Sequence, residues 1–118
     1  MDGFYNRNVT AFFIGDGKDT LRQTCRLHSK HGIDSVVFDS RLSLFSRFCP
    51  FIKAVSSASA KEDSLFLDLI DSEIEKCGKD VILLFPQSAD SKRLLQANED
   101  FFQTRFICDG ELISDALK

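Results

Sequence analysis

The residues best placed to do chemistry are Gly15-Asp16-Gly17-Lys18-Asp19-Thr20, a G-x-G-x-x-T run directly after the apolar segment VTAFFI. A strand that enters glycines and then a helix presents free backbone N–H groups at the helix N-terminus, and these attract an anionic group. The dinucleotide fingerprint is G-x-G-x-x-G or A, so Thr20 stands in place of the third glycine. Asp39 ends the next strand, near where a ribose-binding acid belongs. Three readings stay open. The run is a tight turn that only starts a helix, a site for some other carboxylate or phosphate, or a dinucleotide site. Asp16 inside the turn repels phosphate and counts against the last.

Other candidates are weaker. His28 and His31 are three apart on one helix, and no further ligand is near in sequence. His28 reads as packing and His31 as a partner of the helix C-terminal dipole. Ser40, Ser43 and Ser46 lack the G-x-S-x-G elbow of a serine nucleophile. Asp68, Asp71, Glu73 and Glu75 fall on the polar side of a helix and read as solvated. Ser88 and Asp90 open a helix after a buried strand, where N-capping competes with ligand contact. Cys25, Cys49, Cys77 and Cys108 form no C-x-x-C pair and have no histidine at metal-ligand spacing. They read as buried free thiols in a reducing cytosol. No catalytic residue and no metal ligand is assigned.

Alternating elements must position these groups. Strand one is Val9–Ile14, apolar on both faces. Helix one spans about 19–31, with Leu21, Cys25 and His28 on one face, Leu27 beside it, and Gly32 as its stop. Strand two is 33–39. A short irregular stretch, RLSLFSRFCPF, leads to a third strand at about 51–55. Ser59 and Glu62 form a capping box for the next helix, which ends at Cys77 before Gly78. Its apolar face carries Phe66, Ile70, Ile74 and Cys77, widened by Leu65 and Leu69. Strand four is 80–85. A helix over about 89–103 uses Leu94, Leu95, Asn98, Phe101 and Phe102. Strand five is 105–108, and an amphipathic piece spans 111–117.

This order predicts a single Rossmann-like α/β domain over 1–118: three layers, with an open, mostly parallel sheet of about five strands. Ligands bind such sheets beyond the carboxyl ends of the strands. The candidate substrate-binding residues there are Gly15, Asp16, Gly17, Asp39, Gln87, Ser88 and Asp90.

Composition sets the outer bounds. The chain has 118 residues, 43% hydrophobic and 28% charged, which suits one globular domain. Its 12 phenylalanines and absence of tryptophan point to a Phe-rich core. The net charge of −3 argues against nucleic acid and anionic membrane as partners. Residues 1–53 carry 8 basic and 5 acidic side chains, whereas residues 54–118 carry 7 and 13. Lys18, Arg22 and Arg26 thus give the glycine turn a mild positive surround. No segment reaches the ~20 apolar residues of a membrane span, and the N-terminus lacks the order of a signal peptide.

Taken in order, the segments FFIGDG, LHSKHGIDSVVFDS, LFSRFCPF, KEDSLFLDLI and DVILLFPQSADSKRLLQANEDF carry a likeness. The chain resembles the N-terminal (pre-ATP-grasp) domain of ATP-grasp ligases, in the carboxylate–amine ligase group related to carbamoyl-phosphate synthase and D-amino-acid ligases. That family follows an apolar strand with P-T-S-D and a helix bearing an asparagine. Pro86, Ser88 and Asn98 match; Gln87 replaces the threonine, Ala89 replaces the acid, and Asp90 stands one place on. The likeness runs from about residue 8 to 117 and rests on order and spacing rather than on one long motif.

The resemblance implies that this domain shapes the acceptor-substrate side of a cleft and takes a small carboxylate or amine. Later domains of the same chain, roughly 200 further residues, would bind ATP and Mg2+ and make the acyl-phosphate. On this reading the chain is an N-terminal fragment, inactive alone and without a cofactor of its own. Its parent joins a carboxylate to an amine, releasing ADP and phosphate. A homodimer is compatible with it. The alternatives are a free-standing nucleotide- or dinucleotide-binding module, a receiver-like domain, and an interaction domain without a ligand. A receiver needs a phosphoacceptor aspartate after strand three, where Val55-Ser56-Ser57 offers none.

Overall fold

Four short segments rich in Val, Ile, Phe and Leu pair into one sheet. They are β1 (Val9–Ile14), β2 (Asp34–Asp39), β3 (Ile52–Ser56) and β4 (Val81–Pro86). Among the described residues, four helices accompany them: α1 (Thr20–His31), α2 (Asp63–Cys77), α3 (Ala89–Ala97) and α4 (Glu99–Arg105). The structure, a computed structural model, describes residues 9–15, 19–39, 50–56, 62–79, 81–108, 111 and 113. Asp16, Gly17, Lys18, Ser40, Ser43, Ser46, Cys49, Ser59 and the end of the terminal amphipathic piece lie outside the described residues.

The sheet is all parallel, in the order β3-β2-β1-β4. All six residues of β1 are buried, as a central strand covered on both faces requires. One face packs Phe12, Ile14, Val36, Phe38 and Leu84 against Ile70 of α2, Leu94 of α3 and Phe102 of α4. The other packs Ala11, Phe13, Val37, Ile52 and Leu83 against Leu27 of α1. Helices therefore cover both faces in a three-layer, Rossmann-like α/β architecture. The phenylalanines form the expected core: Phe12 meets Phe38 and Phe106 with ring centroids 5.3 and 5.4 Å apart, and Phe13 stacks on Phe85 at 4.8 Å.

Among the described residues the sheet has four strands rather than five. The segment expected as strand five makes one parallel bridge, Leu83 to Ile107. Phe106 turns into the core beside it, so only Ile107 reaches the ladder, donating to Ile82 and accepting from Leu84. The expected helix over 89–103 is two helices broken at Asn98. The Asn98 amide side chain donates to the Leu94 carbonyl at 3.0 Å, and its backbone leaves the helical region (φ −135°). Such local bonding by asparagine competes with a continuing helix.

Helix faces depart from expectation in three ways. The buried stripe of α1 is Thr20, Thr24 and Leu27, one residue out of phase with Leu21, Cys25 and His28. Cys25 is exposed, not buried. The two stripes have the same spacing, and burial of Thr24 is cheap because its hydroxyl donates to the Leu21 carbonyl at 2.8 Å. α2 starts at Asp63 with Glu62 as its N-cap, so Glu62 is not the third residue of a box begun at Ser59. In α2 it is Leu67, not Leu65, that packs on the core. Glu73 is buried rather than solvated: its carboxylate meets Lys53 Nζ of β3 at 2.7 Å and Lys76 Nζ at 3.5 Å. His28 does pack, stacking on Phe51 with 4.1 Å between ring centroids. Among the described residues, no helix is long and apolar enough to cross a membrane.

Candidate functional site

In a parallel sheet every strand delivers its carboxyl end to the same edge. After β1 the chain enters α1 on one face, and after β4 it enters α3 on the other. The connections diverge between β1 and β4, the place where such folds leave a crevice for ligand. Of the predicted residues, Gly15, Gln87, Ser88 and Asp90 come together there. Asp39 ends β2, in register with Ser56 of β3 and on the far side of β1 from β4. Asp16 and Gly17 belong to the undescribed part of the first loop.

Gly15 is required by its surroundings. Its φ is +96°, and a Cβ added there would stand 2.7 Å from Ser88 Oγ. Only glycine tolerates both conditions without strain. Backbone bonds continue past the strands: the Gly15 N–H donates to the Phe38 carbonyl at 3.0 Å, and the Gln87 N–H to the Ile14 carbonyl at 2.8 Å.

The two helices starting here differ at their N-termini. α3 is closed by a capping box: the Ser91 N–H donates to Ser88 Oγ at 3.1 Å, and the Ser88 N–H donates to Ser91 Oγ at 2.9 Å. Ser91, buried in this arrangement, stands where a box usually has glutamate or glutamine. α1 differs: Asp19 makes no side-chain cap bond, and the first turn holds no acidic residue. The first N–H groups of an α-helix have no partner within it and carry the positive end of its dipole. An anionic group therefore suits the start of α1 better than that of α3, where Asp90 lies in the first turn.

Gln87 and Thr20 answer each other. The buried Thr20 hydroxyl donates to Gln87 Oε1 at 3.0 Å. Gln87 Nε2 donates to Gln23 Oε1 at 3.2 Å and to the Phe85 carbonyl at 3.3 Å. Thr20 departs from the dinucleotide fingerprint, and Gln87 departs from the P-T-S-D pattern. The two departures form one hydrogen bond between the loops.

Arg93, not singled out from the sequence, anchors the outer side. Its guanidinium grips both oxygens of Asp63 at 3.1 and 3.2 Å and donates to Asp90 at 3.0 Å. The hydrogen bond from Arg93, with its charge adding, holds the Asp63 carboxyl below the usual value. Asp63 and then Asp90 raise the Arg93 guanidinium further above its own. Gly15, Phe66, Ser88, Asp63 and Arg93 line a shallow cavity of about 100 Å³ beside the crevice. The signal for Arg93 was its place three residues after Asp90, a helical ion-pair spacing. Its pairing with Asp63, 30 residues away, had none.

Among the described residues, no group of three or more His, Cys, Asp or Glu side chains is arranged to hold a metal ion. His28 and His31 are three apart on α1, and His28 is taken up by the Phe51 ring. No protein-family model matches the chain, and no curated protein matches it.

Proposed function

We propose that this domain forms the substrate-facing, N-terminal part of an ATP-dependent carboxylate–amine ligase of the ATP-grasp type, working in the cytosol. The observation that carries this reading is the divergence of the chain between β1 and β4. It gathers Gly15, Gln87 and Ser88, which lie in two of the segments that resemble the family, at one sheet edge. The start of α1, where Asp19 makes no side-chain cap bond, receives a substrate carboxylate through backbone N–H groups, with Arg22 and Arg26 adding positive charge on the same helix. The capped α3 frames the crevice. ATP and Mg2+ bind in later domains of the parent chain, which activate the carboxylate as an acyl-phosphate for attack by the amine.

The first experiment reads the coding sequence past Lys118, then assays the full chain for ADP release with paired amino-acid and carboxylate substrates. The expected result is an open frame of roughly 200 or more residues, with ADP release only when both substrates are present. A stop codon at that point would overturn the ligase reading.

A dinucleotide-binding module is the second reading, favoured by Asp39 at the end of β2. Against it, Thr20 fills the position of the third glycine with a buried, engaged side chain. Calorimetric titration with NAD+ separates the two: saturable binding that improves in Thr20→Gly favours the module.

A further inference from the structure

The interloop bond has a consequence beyond the ligand class. Both polar atoms of the half-buried Gln87 side chain are engaged with other residues of the protein. Its carbonyl accepts from Thr20, and its amide nitrogen donates to Gln23 and to Phe85. Thr20 and Gln23 are one turn apart on α1, so one side chain from the β4 loop reaches two residues of the other connection. Its own backbone N–H is fixed to the Ile14 carbonyl, the last residue of β1. Gln87 is thus tied to both ends of the β1–α1 connection.

We propose that Gln87 is a positioning residue, not a ligand contact, and that it joins the end of β1, the first turn of α1 and the β4–α3 connection into one cooperative unit. The starts of α1 and α3, on helices that cover opposite faces of the sheet, would otherwise open separately, since local openings are drawn from the low-stability parts of a fold. Joined through Gln87, the start of α1 and the start of α3 keep a fixed separation before any ligand arrives. The significance of this for substrate rests on the ligase reading; the mechanical coupling does not.

Amide hydrogen exchange on the ligand-free chain tests it, so failure here leaves the ligase reading untouched. The amides to follow are Gln23, which donates to the Asp19 carbonyl, and Gln87, which donates to Ile14. Gln87→Met keeps the length of the side chain and removes its bonds; Thr20→Val removes the hydroxyl at constant size. Each single change should speed exchange at both amides by about threefold to tenfold, the range for loss of one hydrogen bond. The double variant should add nothing further, and amides within α2 should keep their wild-type rates. Thr20→Ser keeps the hydroxyl and should match wild type. Comparison of Thr20→Ser with Thr20→Ala decides the matter if Thr20→Val does not fold. Acceleration at Gln87 alone, with Gln23 unchanged, would overturn the proposal, as would additive effects in the double variant.

Discussion

Single residues at the sheet edge answer to partners far away in sequence. Gly15 shows this most sharply, because its positive φ and the 2.7 Å approach to Ser88 Oγ act together. Gly15→Ala should destabilise the fold by at least about 1 kcal/mol, measured by urea unfolding. The Gly15 turn was legible in the sequence; the reason only glycine fits was not, because Ser88 lies 73 residues further on. Thr20 and Gln87 teach the same lesson. Read one at a time, each is a flaw in a motif, and only the fold brings them into contact. Glu73 misled for a related cause: its spacing placed it with solvated acids, while Lys53 of β3 supplied the charge that allows burial. Asp63 has a pH signature. Its folded-state value lies below the ordinary 3.8, so its link to Arg93 stabilises above that value and is lost as pH falls through the folded one. The difference in melting temperature between wild type and Asp63→Asn should be present near neutrality and close as the solution is acidified below 3.8.

At the level of elements, existence was easier to read than orientation. The strands β1, β2 and β4 announce themselves as apolar runs, and the stops at Gly32 and Gly78 stand as left-handed helix caps. Which side of α1 faces inward was not decided by pattern, because two stripes share one spacing and threonine counts as polar. The break at Asn98 was hidden because the apolar positions continue through it in helical phase, from Leu94 to Phe101 and Phe102. The start of α3 was legible through Ser88. Ser88→Ala removes the acceptor for the Ser91 N–H and should cost about 1 kcal/mol. Ser91→Ala should cost a similar amount, since the Ser88 N–H loses its acceptor. Both are read from denaturant midpoints. If Ser88 contacts substrate rather than only capping α3, its substitution should also raise KM of the full chain, and Ser91→Ala should leave KM as it is.

For the whole molecule, the layered α/β class and the parallel sheet were legible from alternation alone. Strand order was not, since alternation says nothing about which side of β1 receives β4. The charge asymmetry was likewise plain in composition, whereas the grip of Arg93 on Asp63 required α2 and α3 to be neighbours. The position of β1 between β2 and β4 also has a bearing on synthesis. Val9 pairs with Val81, so the first strand made waits for more than 70 residues before its second edge is covered. Pairings this distant in sequence form late and slowly. A chain ended before Val81 should therefore lack a cooperative melting transition by circular dichroism. On the ribosome, Phe13 of the nascent chain lacks its stacking partner Phe85 until β4 emerges, and that interval is when chaperones would be needed and aggregation is favoured.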